Sequence, residues 1–203
     1  MRKIIAGLFI SLDGVTEAPD EWHFPYYDEQ MGAAVDAMLR SADTILLGRV
    51  TYDSFAGAWP QREREGGEDA DFARRLGDLR KVVVSRQRLD FDWRNTEQLT
   101  GDLIEAVTAL KGEAGGDISM SGSVSVVRRL LAAGLIDELH LLVHPVAVRT
   151  GARLFDDGGP AIPLRLLSSQ AFPTGVLHLV YTPGVTPGSA GYDDAKVHLA
   201  RQS

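Results

Sequence analysis

The residues Asp117-Ile-Ser-Met-Ser-Gly-Ser123, then Val124 to Gly134, then Leu135-Ile-Asp-Glu-Leu-His-Leu-Leu-Val-His-Pro145, decide the fold. They read as strand, glycine turn, helix, strand. Ile118 and Met120 alternate with polar neighbours until Ser121-Gly122-Ser123 stops the run. Val124, Val127 and Leu131 then recur at helical spacing, with Arg128 and Arg129 on another face. Gly134 ends that helix, because glycine takes the left-handed C′ conformation without a Cβ penalty. Leu139 to Val143 is too apolar for a surface hairpin and fits a strand buried on both faces. A strand feeding a helix through Gly and Ser leaves backbone N–H groups free at a helix N-terminus. That is an anion site.

On the N-terminal side the same alternation of strand and helix recurs. Met1-Arg-Lys-Ile-Ile-Ala-Gly-Leu-Phe-Ile10 imitates a signal peptide, but its apolar run is short and meets Asp13-Gly14 without a cleavage site. Ile4 to Ile10 therefore reads as a first strand. An aromatic loop from Trp22 leads into a helix with the apolar stripe Met31, Val35, Met38 and Leu39, ended by Ser41-Ala-Asp43. Thr44 to Gly48 is a second strand, and a helix starts at Arg49 and runs to Phe55. The charged run from Pro60 to Asp71 is expected as a solvated loop. Phe72 to Leu79 is a short helix and Lys81 to Ser85 a third strand, followed by an irregular piece through Trp93. Leu103 to Leu110 is an amphipathic helix leading into the opening stretch.

Beyond Pro145, two strands, Pro163 to Phe172 and Val176 to Tyr181, flank the turn Pro173-Thr-Gly175. The expected fold is a single α/β domain over residues 1–183, with a mainly parallel mixed sheet and antiparallel edge strands. Residues 184–203 are expected as a loose tail.

Composition bounds the function. The 203 residues are 44% hydrophobic and 24% charged, ordinary for a globular protein with a real core. A net charge of −7 argues against non-specific nucleic-acid binding and against a basic membrane-surface protein. With no cysteine, disulfides, thiolate catalysis and cysteine zinc sites are excluded, which fits a reducing compartment. No apolar run reaches transmembrane length, and a cytoplasmic protein is expected.

Three strands end alike: Gly48-Arg49-Val50-Thr51, Ser85-Arg86 and Gly122-Ser123. Ligands of open α/β sheets bind at the carboxyl ends of strands, so the three should line one crevice. Arg49, Thr51 and Arg86 bring donors suited to an extended phosphate ligand such as a dinucleotide. Each alone is equally readable as a helix cap or a surface arginine; together they favour a site. No G-x-G-x-x-G, phosphate-loop or G-x-S-x-G motif occurs. His140 and His144 have helical metal spacing but sit on a strand, where four residues span roughly 13 Å, so no metal site is expected.

The order of Ser11-Leu-Asp-Gly14, Leu47-Gly-Arg-Val-Thr-Tyr52, Val84-Ser-Arg86, Ser121-Gly-Ser123, Gly134-Leu-Ile-Asp-Glu-Leu139 with Pro145, and Leu154-Phe155 carries a resemblance. Over most of residues 1–182 the chain resembles the dihydrofolate reductase-like family. That family includes the C-terminal reductase domain of the bifunctional riboflavin-biosynthesis deaminase–reductase. The resemblance implies a three-layer α/β/α fold, NADPH as hydride donor, and a homodimer. It places Arg49 and Thr51, in the segment Gly48 to Thr51 that includes Val50, at the pyrophosphate and 2′-phosphate side. Ser85 and Arg86 would hold the adenosine end, and Gly122, Ser123 and Val124 the pyrophosphate. Two positions depart from the family pattern: Ser123 and Arg149 stand where glycine is usual. The partner deaminase domain, which needs a cysteine zinc site, has no counterpart here.

A reductase also needs a proton. The family's Trp-x-Leu-Pro-x-Asp motif is matched by Trp22-His-Phe-Pro25, but the acid Asp28 comes one residue late. That is about 100° of helix rotation. Asp28 reads equally as a helix cap. Asp13 is a second candidate acid, readable also as an Asp-Gly turn, and Tyr27, at the aligned position, a third. Trp22, Phe24 and Trp59 are candidate walls for a planar substrate, or loop aromatics covering a core edge. The expectation is an NADPH-dependent reductase of a small heterocyclic or carbonyl substrate. The alternative is a non-catalytic dimeric module binding a nucleotide or a flavin.

Overall fold

Eight strands form one sheet in the computed structural model, which describes residues 1–155, 158–186, 188 and 191–195. They are β1 (Ile4–Ser11), β2 (Ala42–Gly48), β3 (Arg80–Val84), β4 (Thr96–Leu99), β5 (Asp117–Ser121), β6 (Glu138–His144), β7 (Leu164–Ala171) and β8 (Leu177–Pro183). Their spatial order is β4-β3-β2-β5-β1-β6-β8-β7. The first six are parallel; β8 runs antiparallel to β6, and β7 antiparallel to β8. The helices are α1 (Glu29–Arg40), α2 (Arg49–Glu65), α3 (Ala70–Asp78), α4 (Leu103–Gly112), α5 (Val124–Ala132) and a short α6 (Tyr192–Ala195).

Alternation along β1 shows why two helical layers form. Ile4, Ala6 and Leu8 pack with Val107 of α4 and Val127 and Leu130 of α5 on one face. Ile5 points the other way, to Met31 and Met38 of α1. On that second face, Ile45, Leu47 and Val83 meet Tyr52 of α2 and Leu76 of α3. The result is the expected three-layer α/β/α arrangement.

The stretch from Asp117 to Pro145 forms β5, α5 and β6 as read. Gly134 sits at φ 66°, with its N–H donated to Leu131 O (3.0 Å) and the Leu135 N–H to Leu130 O (2.9 Å). This paired closure satisfies the last carbonyls of α5.

Two expectations are corrected. The charged run is not all loop: α2 continues through Pro60 to Glu65. Pro60 removes one intrahelical donor, but Trp59 packs on Phe55 and Phe72, and the Arg62 guanidinium lies 4.8 Å from the Trp59 ring. Gln61 and Glu63 are tied to Glu65 and Arg94 respectively. Charge pairing on a helix face thus looked like solvated loop. The second correction is β4, a four-residue edge strand parallel to β3, which lies just beyond the irregular piece through Trp93 in a stretch where no element was expected. Of the expected tail, residues 187, 189, 190 and 196–203 lie outside the described residues.

At the amino ends of the strands, buried cations are tied to neighbours. Arg2, 5% exposed, donates to Gly116 O (2.6 Å) and Thr44 Oγ1 (2.6 Å) and pairs with Asp43. Lys111 donates to Leu135 O (2.9 Å) and pairs with Asp137, whose carboxylate also accepts the Ile4 N–H (2.7 Å). Lys81, with no exposed surface, donates to Leu76 O, Gly77 O and Leu79 O at 2.8–3.0 Å and lies 4.4 Å from the Trp93 ring. Burial pulls its pKa down to about 8, so the ammonium persists at neutral pH and caps the end of α3.

Candidate functional site

At the carboxyl ends of β2 and β5 the chain makes a close knot. The Gly48 N–H donates to Ser123 Oγ (2.8 Å), while the Ser123 N–H and hydroxyl both reach Thr51 Oγ1 (3.0 Å each). Ser123 Oγ–H donates in this chain, so the Thr51 hydroxyl proton remains to be donated outward. The Ser123 N–H, expected to serve an anion, is taken by Thr51. The first-turn N–H groups of Val124 and Ser125 have no intrahelical acceptor and remain as donors.

Gly122 permits this approach. It lies at φ 63°, and a Cβ there would come within 3.2 Å of Thr51 Oγ1. Ser123 is itself left-handed (φ 55°, ψ 42°), and Arg149 also has positive φ (74°). Both positions where the family favours glycine therefore keep the backbone that explains glycine. Here the serine hydroxyl compensates by bonding Gly48 and Thr51.

The helix starts differ in a telling way. α1 and α4 are capped by carboxylates: Asp28 accepts the Met31 N–H (2.8 Å), and Asp102 accepts those of Ile104 (2.8 Å) and Glu105 (3.2 Å). α2 and α5, which meet at Gly48 and Ser123, have no side-chain cap. Two positive helix ends with open N–H donors converge where no carboxylate cap competes for them. Arg49 beside them bonds Gln87 Oε1 (2.6 Å) and sits 3.4 Å from Asp53. Gln87 in turn closes a turn with Ser85, whose hydroxyl donates to Gln87 O (2.9 Å) and accepts its N–H (3.0 Å). Through that turn the third strand end, with exposed Arg86, joins the first two. Val50 is 79% exposed.

The three candidate proton donors separate. Asp13 accepts the Ser11 hydroxyl (2.6 Å) and the N–H groups of Val148 (3.0 Å) and Arg149 (2.9 Å). Chiefly the Ser11 hydrogen bond holds its carboxyl below the usual range, so it clamps the 148–149 loop as a carboxylate. Asp28 is the α1 cap, with Thr174 Oγ1 at 3.4 Å on its other oxygen. Neither fits a proton donor. Tyr27 keeps its proton: burial raises its pKa, and its ring stands beside His23.

Of the aromatic candidates, Trp22 and Phe24 lie at the ends of β1 and β6, in a cluster that also holds Phe9, His23, Tyr26 and His144. Trp59 does not join them. It lies ten residues, about 15 Å, along α2 from Arg49, against Phe72 and one turn before Glu63, which pairs with Arg94 near the start of β3. Helical periodicity across Pro60 would have shown this. The sequence reading also passed over His23, whose signal was only its place between two aromatics. His140 and His144 turn to different partners: His140 Nδ1 is 3.0 Å from His178 Nε2, while His144 Nδ1 is 2.8 Å from Leu142 O. Among the described residues no cluster of metal-ligating side chains occurs.

Concavity alone would point elsewhere. Clefts of about 440 and 700 Å³ lie at the amino ends of the strands, lined by Arg75, Asp43, Asp78, Arg2 and Arg80 among others. Those arginines are already paired, Arg75 with Asp36, Arg2 with Asp43, and Arg80 with Glu97 and Glu113. An anion gains little there.

Comparison with known proteins identifies the family and the fold. The family model of the RibD C-terminal domain matches residues 2–178. The uncharacterized protein YyaP of Bacillus subtilis (strain 168) is 32% identical over 185 residues, covering 89% of this chain and 94% of that protein. A Shewanella sp. PV-4 protein named for riboflavin biosynthesis superposes with a TM-score of 0.70 at 16% identity, over 91% of this chain and all of that one. A pyrimidine reductase-like protein of Corynebacterium diphtheriae gives 0.62 at 18% identity, over 91% and 93%. These two show a shared fold.

Proposed function

The chain belongs to the RibD C-terminal domain family, and on that footing we propose that it is an NADPH-dependent oxidoreductase. Its substrate is a small planar heterocycle or carbonyl compound, as in reductases of the riboflavin pathway, and it works in the cytoplasm as a homodimer. The observation that carries this reading is the meeting of two uncapped helix starts, α2 and α5, at the Gly48–Ser123 contact. Val124 and Ser125 N–H groups and the Thr51 hydroxyl would hold the pyrophosphate. Arg49 and Arg86 suit the 2′-phosphate and adenosine end. When bound, NADPH supplies a hydride; this chain's residues orient the two partners, exclude water and, through Tyr27, deliver a proton.

The dimer rests on β7. From Arg165 to Ala171 it is exposed along its length, with Leu166 and Leu167 at 48% and 46%. A second copy covering this edge buries those leucines. Sedimentation should give a dimer at micromolar concentration, and a monomer would contradict it.

The functional test is titration with NADPH, NADH and flavin, followed by a screen for substrate-dependent oxidation of NADPH. Saturable NADPH binding, weakened at least about tenfold in Arg49→Ala or Arg86→Ala, is expected. Variants indistinguishable from wild type would sink the reading. Binding without turnover across a broad panel would instead favour a non-catalytic nucleotide-binding module.

A further inference from the structure

Within the sheet, β8 reaches the parallel strands through β6, and β7 is attached only to β8. Two imidazoles cross that junction on the face shared with Leu142: His140 Nδ1 on β6 lies 3.0 Å from His178 Nε2 on β8. On the other side of the His140 ring, Nε2 is 3.4 Å from Glu138 Oε2, and Glu138 pairs with Lys3 at 2.9 Å. The Glu138 carboxylate can only accept, so His140 carries its proton on Nε2 and turns the Nδ1 lone pair toward β8. The His178 Nε2–H donates into that lone pair. Directly opposite His178, β7 brings the neutral Gln170, whose amide donates to Gln30 of α1 (3.2 Å), and the Phe172 ring lies 6.1 Å from His178. The charged groups beside the pair are therefore Glu138 and, through it, Lys3.

We propose that His140 and His178 form a two-proton latch that fastens the β7–β8 ribbon to the parallel strands, closed with none or one added proton and open with two. Only one proton fits between the facing nitrogens. A first added proton goes to His178 Nδ1, and the imidazolium still donates through Nε2, now as a charge-assisted bond. A second has to enter at His140 Nδ1. It sets two N–H groups and two positive charges against each other across 3.0 Å, and the rings part. The His140 side chain is only 13% exposed, so the charged rings reach water by loosening the ribbon. Burial holds both imidazoles below their ordinary range, which keeps the latch neutral and closed at pH 7. The ribbon carries the exposed Leu166 and Leu167, so opening also weakens the edge offered to a second copy. That consequence rests on the dimer reading above; the latch itself does not.

The test follows imidazole ¹⁵N signals and amide hydrogen exchange of the full chain from about pH 7.5 to about pH 4.5. His178 Nδ1 should take up a proton first, with the ribbon unchanged, and His140 Nδ1 second. With that second step the β8 amides should exchange at least about tenfold faster relative to those of β1, a ratio that removes effects shared by the whole fold. His178→Gln supplies a donor to the neutral His140 ring and an acceptor to the protonated one, so its ribbon should stay protected in acid. Release at the first proton, an unchanged ratio through both steps, or a His178→Gln ribbon that opens like the wild type would overturn the latch. Sedimentation over the same range reads assembly separately. The wild-type dimer should dissociate with the second proton, and the His178→Gln dimer should persist. A monomer at every pH would remove the dimer reading alone, and a dimer that persists with an unchanged exchange ratio would remove the latch alone.

Discussion

The two ends of the sheet are built on opposite principles. At the amino ends, each buried cation described above meets its acceptors: Arg2 with Asp43, Lys111 with Asp137, Lys81 with three carbonyls. At the carboxyl ends, the starts of α2 and α5 are left without a side-chain cap, and two buried imidazoles each keep a ring nitrogen without a hydrogen bond. The first end closes the fold. The second leaves donors and acceptors open, and it is there that the three strand-end motifs meet. Changes at one end should move stability, and changes at the other should move binding.

The sharpest way to break that division is Lys81→Met. It leaves the last carbonyls of α3 buried without donors and should cost about 3 kcal/mol. Denaturant midpoints would record the loss, with NADPH affinity unchanged. A parallel fall in affinity would show that the two ends are not separable.

Acid should find the carboxyl end next. The His23 pKa is lowered from 6.5 to about 4, chiefly by burial and then by His144, so below 6.5 the unfolded chain binds more protons. Stability conferred by the neutral imidazole is complete above 6.5 and is lost as pH falls toward about 4. The loss is about 3 kcal/mol as an upper bound. His140, His144 and His178 shift the same way through burial and add to it. His23→Phe should flatten the stability profile between those limits; an unaltered profile would mean that His23 is not buried neutral in solution.

Smaller effects belong to the knot. Gly122→Ala forces a side chain into φ 63° against Thr51 and should weaken NADPH binding by about 1–2 kcal/mol, read by calorimetry. Ser123→Gly removes left-handed strain but also the hydroxyl bonds to Gly48 and Thr51. These oppose each other at about 1 kcal/mol apiece, so stability should stay within about 1 kcal/mol. A much larger loss would mark the serine bridge as the dominant element.

Much of this architecture was legible in the chain. The alternation of Ile118 and Met120, the helical spacing of Val124, Val127 and Leu131, and Gly134 carried the central unit because local periodicity and a left-handed C′ are local properties. The convergence of Gly48, Ser85 and Gly122 followed from topology. What escaped depends on long-range pairing. Thr96–Leu99 is too short and polar to declare itself before β3 supplies a partner. Pro60 hid the second half of α2, and with it the true place of Trp59. Asp13 and Asp28 could be listed as acids, but only the folded loop shows their oxygens already occupied by backbone N–H groups. His23 and His144, far apart in sequence, meet only after β1 pairs with β6.

The central claim is that the carboxyl end holds the cofactor, and amide ¹H–¹⁵N spectra during an NADPH titration test it most directly. The signals of Gly122, Ser123, Val124 and Ser125 should shift most and saturate together, while those of Arg2, Asp43 and Thr96 stay in place. Shifts confined to the amino-end clefts, or none at any NADPH concentration, would contradict the account.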